Sequence, residues 1–195
     1  KIYESGIMEF PKSAELYGWY AIFLHGVRKE YDKAEEYYKK ALELDPNLAA
    51  TTGSYANFLH SVRKEYGRAE EYYKKALELD QNMANTTGNY AQFFLIKGDK
   101  EKGKEYINKA FTFNIDDNKS LLVELWFYRY VHFPEWYEEG YKRLLELVKN
   151  GARSIGWNLK PNIEQAKKDG HPHIDLLYKF DKIITEDAPI DVLDK

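Results

Sequence analysis

Tyr31–Asn47 reads YDKAEEYYKKALELDPN and Tyr66–Asn82 reads YGRAEEYYKKALELDQN; across these seventeen positions only Asp32/Gly67, Lys33/Arg68 and Pro46/Gln81 differ. The likeness extends upstream, where GWYAIFLH from Gly18 leads into the first copy and GSYANFLH from Gly53 into the second. Self-similarity at this spacing means one supersecondary unit used again, each copy burying an apolar face against its neighbours. From Ala34 to Ala69 the spacing is 35 residues, and from Ala69 to Gly103 it is 34, so a third and weaker copy follows.

Each copy reads as two helices. Ser13 is placed to cap the first, with Glu15 in its opening turn, and Leu16, Tyr17, Tyr20, Ala21, Phe23 and Leu24 make a helical stripe. A turn around Gly26–Glu30 leads to the second helix, whose buried stripe is Ala34, Tyr37, Tyr38, Ala41 and Leu42. The pairs Glu35–Lys39 and Glu36–Lys40 have the favourable Glu-first order and mark a solvated face. Asp45-Pro46-Asn47 stops the helix, because proline cannot continue it. The same cycle predicts helices near Leu48–His60, Tyr66–Leu79, Met83–Ile96 and Lys100–Phe113. The extra residue of the first two cycles is expected in the turn between their helices.

Residues 1–118 are therefore three repeats, with the first ten residues matching the end of a preceding, truncated repeat that starts at Lys1. A diverged fourth hairpin is expected over 119–151: Ser120–Phe133 is apolar nearly all round, and Pro134 opens a partner striped with Trp136, Tyr137, Gly140, Tyr141, Leu144, Leu145 and Val148. Over 152–195 the period is lost. Pro161–Asp169 and His173–Glu186 read as helices capping the stack, and Asp187–Lys195 as a frayed polar tail.

The repeats resemble the tetratricopeptide repeat, a helix–turn–helix unit patterned W-x2-L-G-x2-Y, A-x3-F, P. The second helix matches at Ala34-x3-Tyr38 with Pro46, and at Ala69-x3-Tyr73 with Gln81 for proline. The first departs, carrying Tyr17/Tyr20/Ala21/Leu24, Thr52/Tyr55/Ala56/Leu59 and Thr87/Tyr90/Ala91/Phe94 where the family has W, L, G and Y. The resemblance implies an all-α fold, a right-handed superhelical solenoid of helix–turn–helix repeats with a C-terminal helical cap. It also implies a non-catalytic, cytoplasmic protein–protein interaction module, an adaptor, scaffold or sensor holding a protein or peptide on its concave first-helix face. Two alternatives stay open: a structural self-assembly module, and a regulatory segment of a larger enzyme.

If Tyr20, Ala21 and Leu24 pack inward, the free stripe of the first helices is Glu15/Gly18/Ile22/His25, Ala50/Gly53/Asn57/His60 and Asn85/Gly88/Gln92/Leu95, with Asn89 at its margin. The candidate partner-binding residues are His25, Asn57, His60, Asn85, Asn89 and Gln92, since amides both donate and accept to an extended backbone. The alternative is that these polar residues simply solvate a groove. Gly18, Gly53 and Gly88 recur in register inside helices, where glycine costs about 1 kcal/mol against alanine, so a neighbouring helix or a bound peptide comes close there. A known variant of the family clamps a C-terminal carboxylate with lysines on this stripe; here those places hold glycine and neutral residues, which disfavours that role.

Composition removes other classes. The 195 residues are 44% hydrophobic and 31% charged, as in globular rather than disordered chains. Seventeen Tyr and ten Phe point to aromatic helix seams. A net charge of −3 gives no drive toward nucleic acid or anionic membrane, and no apolar run is long enough to span a bilayer. With no cysteine there is no disulfide framework or thiol nucleophile, which fits a reducing compartment. Gly98–Glu105 nearly spells a phosphate loop, but Glu105 replaces its hydroxyl and a helix precedes it, so no nucleotide or other cofactor is expected. His171-Pro172-His173 lacks further ligands for a metal, and Arg28-Lys29, Arg63-Lys64 and Lys97 read as a solvated edge of helix ends.

Overall fold

The computed structural model describes residues 2–194. Lys1, expected in the truncated repeat, and Lys195, expected in the frayed tail, lie outside the described residues. The fold is all-helical, of the helical-repeat solenoid class. The chain divides into two compact units, Lys1–Thr86 and Thr87–Lys195.

The first unit holds α1 (Ile2–Glu9), the hairpin α2 (Ala14–Phe23) with α3 (Tyr31–Leu44), and the hairpin α4 (Ala49–Phe58) with α5 (Tyr66–Leu79). Ser13 caps α2 by accepting from the Leu16 N–H at 3.4 Å. Position by position, small residues let the hairpins close: Ala21, Ala34, Ala41, Ala56, Ala69 and Ala76 have no exposed surface. Tyrosines fill the seams between them. Tyr20 meets Tyr37 at 4.7 Å between ring centroids, Tyr38 stacks on Tyr55 at 5.2 Å, and Tyr55 meets Tyr72 at 4.9 Å.

The recurrent glycines answer to a neighbouring helix. A Cβ on Gly18 would overlap Thr51 Oγ1, and one on Gly53 would lie 2.5 Å from Thr86 Oγ1. In the second unit a Cβ on Gly88 would lie 2.6 Å from Leu121 Cδ1. The helix-propensity cost of these glycines is offset by close first-helix packing.

Between α2 and α3 the expected turn at Gly26–Glu30 is instead a continuation of the helix as a π-turn, Leu24–Arg28; Leu59–Arg63 repeats it after α4. The i→i+5 pattern absorbs the thirty-fifth residue of the cycle, and the chain leaves through Lys29 and Lys64 in the left-handed region, at φ 58° and 60°. The third cycle, one residue shorter, has no such turn: Gly98 takes the left-handed position at φ 82°. Arg63, expected on a solvated edge, reaches back to α3 and pairs with Glu35 and Asp32 at 2.7 Å each. Glu35 also holds Lys39 at 2.6 Å and is mostly buried, so it is a link between hairpins rather than part of a solvated face.

Helix α6 (Ala84–Ile96) crosses the division, and the second unit continues with α7 (Lys100–Phe111), α8 (Lys119–His132), a 3₁₀ turn at Pro134–Trp136 and α9 (Tyr137–Lys149). Asp99 and Asn118 cap α7 and α8, accepting from Lys102 N and Leu121 N at 3.1 Å. Helix α8 buries residues on all sides, as its sequence requires. Gly140 lets α9 cross it closely, since a Cβ there would lie 3.0 Å from Tyr130 Cβ. Helices α10 (Lys160–Lys168) and α11 (Ile174–Glu186) follow. The tail differs from the frayed polar segment expected: Ile190–Asp194 turns as a 3₁₀ helix against α11 after Asp187 enters the left-handed region at φ 56°. No helix among the described residues is long and apolar enough to cross a membrane.

Candidate functional site

On α2 the inward positions Tyr20, Ala21 and Leu24 are buried, as the stripe requires, and the opposite side is open. There Trp19 is 56% exposed and Ile22 37%, an unusual outlay of apolar surface beside the exposed Glu15. One repeat later the equivalents are Ser54, half-buried, and Asn57, which is buried. The Asn57 side-chain oxygen is shut from solvent and receives no hydrogen bond. A buried carbonyl left without a donor is costly, and such groups are rare in folded proteins.

The two histidines of the expected groove do other work. His25 Nδ1 lies 3.3 Å from the Tyr38 hydroxyl, and its ring meets Phe58 edge-on at 5.2 Å. His60, only 2% exposed, repeats the arrangement with Tyr73 at 3.4 Å. Burial, with a smaller contribution from the nearby Lys29 and Lys64, pushes the His25 imidazole down to about 4 and that of His60 down to about 3. Both are neutral at physiological pH and belong to the hairpin seams. His60 is thus removed from a ligand's reach by packing that follows from the π-turn placing it over Tyr73.

Asn85 is exposed and Asn89 half-buried. Gln92, 4% exposed, is occupied from within its own unit. Its Nε2 donates to the Asn158 carbonyl at 2.9 Å and to Asn162 Oδ1 at 3.0 Å. Asn162, fully buried, lies 3.0 Å through Nδ2 from His132 Nε2, whose imidazole burial pushes down to about 3. Gln165 approaches Gly98, and Asp169 pairs with Lys100 at 2.9 Å. The expected cap therefore lies on the first-helix face of α6 and α8, where Asn162 makes the amide contacts a ligand would make.

The structure thus differs from the open amide stripe expected. Asn57, His60 and Gln92 are buried, while His25, Asn85 and Asn89 keep some surface. The residue missed is Trp19. Its signal was present in Asn89, since a shift by the repeat length aligns Asn89 with Ser54 and Trp19. At the turn His171-Pro172-His173, His171 Nε2 sits 3.2 Å from the Tyr130 carbonyl and its Nδ1 accepts from the His173 N–H at 3.1 Å. No group of three or more metal-ligating side chains occurs among the described residues.

Comparison with known proteins bears on the fold. Family models of the tetratricopeptide repeat match residues 24–48 and 63–83. No curated protein has a sequence that matches this one significantly. Among solved structures, the chain is similar to YrrB, described as a TPR protein with an unusual peptide-binding site, at 18% identity and a TM-score of 0.59, over 96% of this chain and 94% of that one. It is also similar to PilF of Pseudomonas aeruginosa, at 19% identity and a TM-score of 0.57, over 94% and 88% of the two chains. At these identities the likeness is one of fold. With the repeated A-x3-Y helices, the small-residue hairpin seams and the two family matches together, the chain carries tetratricopeptide repeats, which supports a protein-interaction module in general.

Proposed function

We propose that the chain is an adaptor that binds a protein or peptide through the first-helix surface of its first unit. The observation that carries this reading is the exposed apolar pair Trp19 and Ile22 on the outward side of the first helix, where the next repeat carries Ser54 and Asn57. Tryptophan supplies large contact area at small entropic cost and is enriched where interfaces concentrate their energy. YrrB's peptide-binding site is a property of that protein, and its shared fold adds support only at the level of architecture.

Selection of displayed peptides on the wild-type chain, repeated with Trp19→Ala/Ile22→Ser, tests the surface. Loss of selected peptides by about tenfold or more in affinity is expected, with an unchanged melting temperature because both side chains are exposed. Peptides held equally by both chains would move the site elsewhere.

A further inference from the structure

In the second unit, α8, α9 and the start of α11 enclose an open cavity of about 410 Å³. Three tyrosines line it. Tyr130 comes from α8, and Tyr137 and Tyr141, one helical turn apart, come from α9. The Tyr130 ring, 2% exposed, stands 6.0 Å from Tyr137 at 72°, 6.2 Å from Tyr141 at 49° and 6.2 Å from Phe180, and forms the floor of the cavity between the two α9 rings. Gly140 makes this possible by letting the backbones of α8 and α9 approach between the two α9 rings. Behind them His171 packs against Tyr137 at 4.6 Å and Tyr130 at 5.4 Å, locking the walls. Leu176 and His173 close the side toward α11.

The lining sets three aromatic rings beside one carboxylate, Glu138, and one ammonium, Lys142. Burial pushes the Tyr130 phenol up to about 12, helped by the neighbouring Tyr141 and Tyr137, and burial also raises Tyr137. The walls are therefore uncharged rings offering negative π-faces and hydroxyl lone pairs. Glu138 adds a carboxylate at the mouth, kept ionised by Lys142 at 2.7 Å. That pair is highly exposed, at 85% and 69%, and exposed pairs of this kind contribute little. A second cation can take the place of Lys142 at Glu138 without loss of a strong bond.

We infer that this tyrosine-walled cavity is a binding site for an alkylated ammonium group, a trimethylammonium head or methylated amine seated among Tyr130, Tyr137 and Tyr141 with Glu138 as counter-ion. Such a cation loses little hydration on entry and gains π-face contact on several sides at once. An anion would meet the π-faces and Glu138 with repulsion and would find only the exposed Lys142 as counter-ion. A neutral apolar group would fill the space but leave the carboxylate unused. The site does not depend on the Trp19 surface, and each stands or falls alone.

The test is titration of the full chain, followed by NMR of the tyrosine rings, with choline, with a peptide bearing trimethyl-lysine, and with the neutral carbon isostere of choline. Saturable binding of an ammonium is expected, at least about tenfold tighter than the isostere. Preference for choline or for the peptide distinguishes a free ligand from one carried on a protein. Glu138→Gln, at an exposed position, should weaken the ammonium about threefold or more and leave the isostere unchanged. Tyr141→Leu, which keeps apolar bulk, should weaken it about fivefold or more, and Tyr141→Phe should restore most of that loss. Equal binding of the isostere, or no saturable shift with either ammonium, would overturn the assignment.

Discussion

Single residues set how closely the repeats approach, and Gly53 shows it most clearly. The space a methyl would need is held by Thr86, with Oγ1 at 2.5 Å and Cγ2 at 3.0 Å from the would-be Cβ. Gly53→Ala therefore trades better helix propensity for overpacking and should lose about 1–3 kcal/mol in urea unfolding. Thr86→Ala removes both clashing atoms, so the double variant should recover most of the loss, and a double-mutant cycle would read the coupling directly. Additive effects would mean that the glycine serves something other than the neighbouring helix. Its recurrence in sequence announced a close approach, but the partner became visible only when Thr51, Thr86 and Leu121 appeared opposite the three glycines. Asn57 and Gln92 make the contrary case. Both are amides at one repeat position, yet one has an unmet oxygen and the other donates its Nε2 to residues 66 and 70 positions further along the chain.

The telling elements are the π-turns. Cycles of 35 and 34 residues told that a residue is added, and chain logic put it in a loop, where insertions are cheap. It is instead wound into the end of each first helix, which carries His25 and His60 over Tyr38 and Tyr73. Exit from each π-turn needs a left-handed residue, and both times it is lysine, at φ 58° and 60°. Glycine takes that place in the third cycle. Lys64→Gly should accordingly raise stability by about 1 kcal/mol, the cost of a Cβ in that region, with no change in helix content. Lower stability would imply that the lysine side chain makes a compensating contact. Local pattern could not distinguish α from π winding, because the two differ by one residue in the hydrogen-bond step and not in which side chains are apolar.

At the scale of the molecule, buried titratable groups shape how stability responds to acid. Unfolded imidazoles take up protons near 6.5, whereas His25 holds off to about 4 and His60 and His132 to about 3, all through burial. Between those values the unfolded chain binds more protons, so acid favours unfolding. Glu124 acts oppositely: burial raises its carboxyl from 4.5 to about 7 against the opposing Ser154 hydroxyl bond at 2.5 Å. The fold keeps that proton while the unfolded chain releases it, so stability falls as pH rises from 4.5 to 7. Burial lowers His171 and raises Asp181 as well, so four imidazoles stand against two carboxyls. Stability should therefore climb from pH 4.5 to 6.5, where the unfolded imidazoles bind protons that the folded ones exclude. Glu124→Gln should steepen that climb and add on the order of 3 kcal/mol above pH 7. Urea unfolding across the pH series would read both, and a flat wild-type profile would exclude the buried imidazoles as the cause.

The sequence by itself determined the repeat, the two helices of each unit and the small-residue seams between them, because these rest on local periodicity and near-identical copies. It also determined that Tyr20, Ala21 and Leu24 turn inward and marked the other side of the first helices as a candidate surface. Which part of that side stays open was decided by the tertiary structure alone. Helix α10 comes from beyond the repeats, carries no periodic signal, and lands on Gln92 through contacts no spacing rule encodes. The tyrosine cavity likewise joins residues of α8, α9 and α11 that share no motif and meet only because Gly140 lets two helices touch. Periodicity specifies what each unit must bury, but only the folded chain decides what finally covers each face.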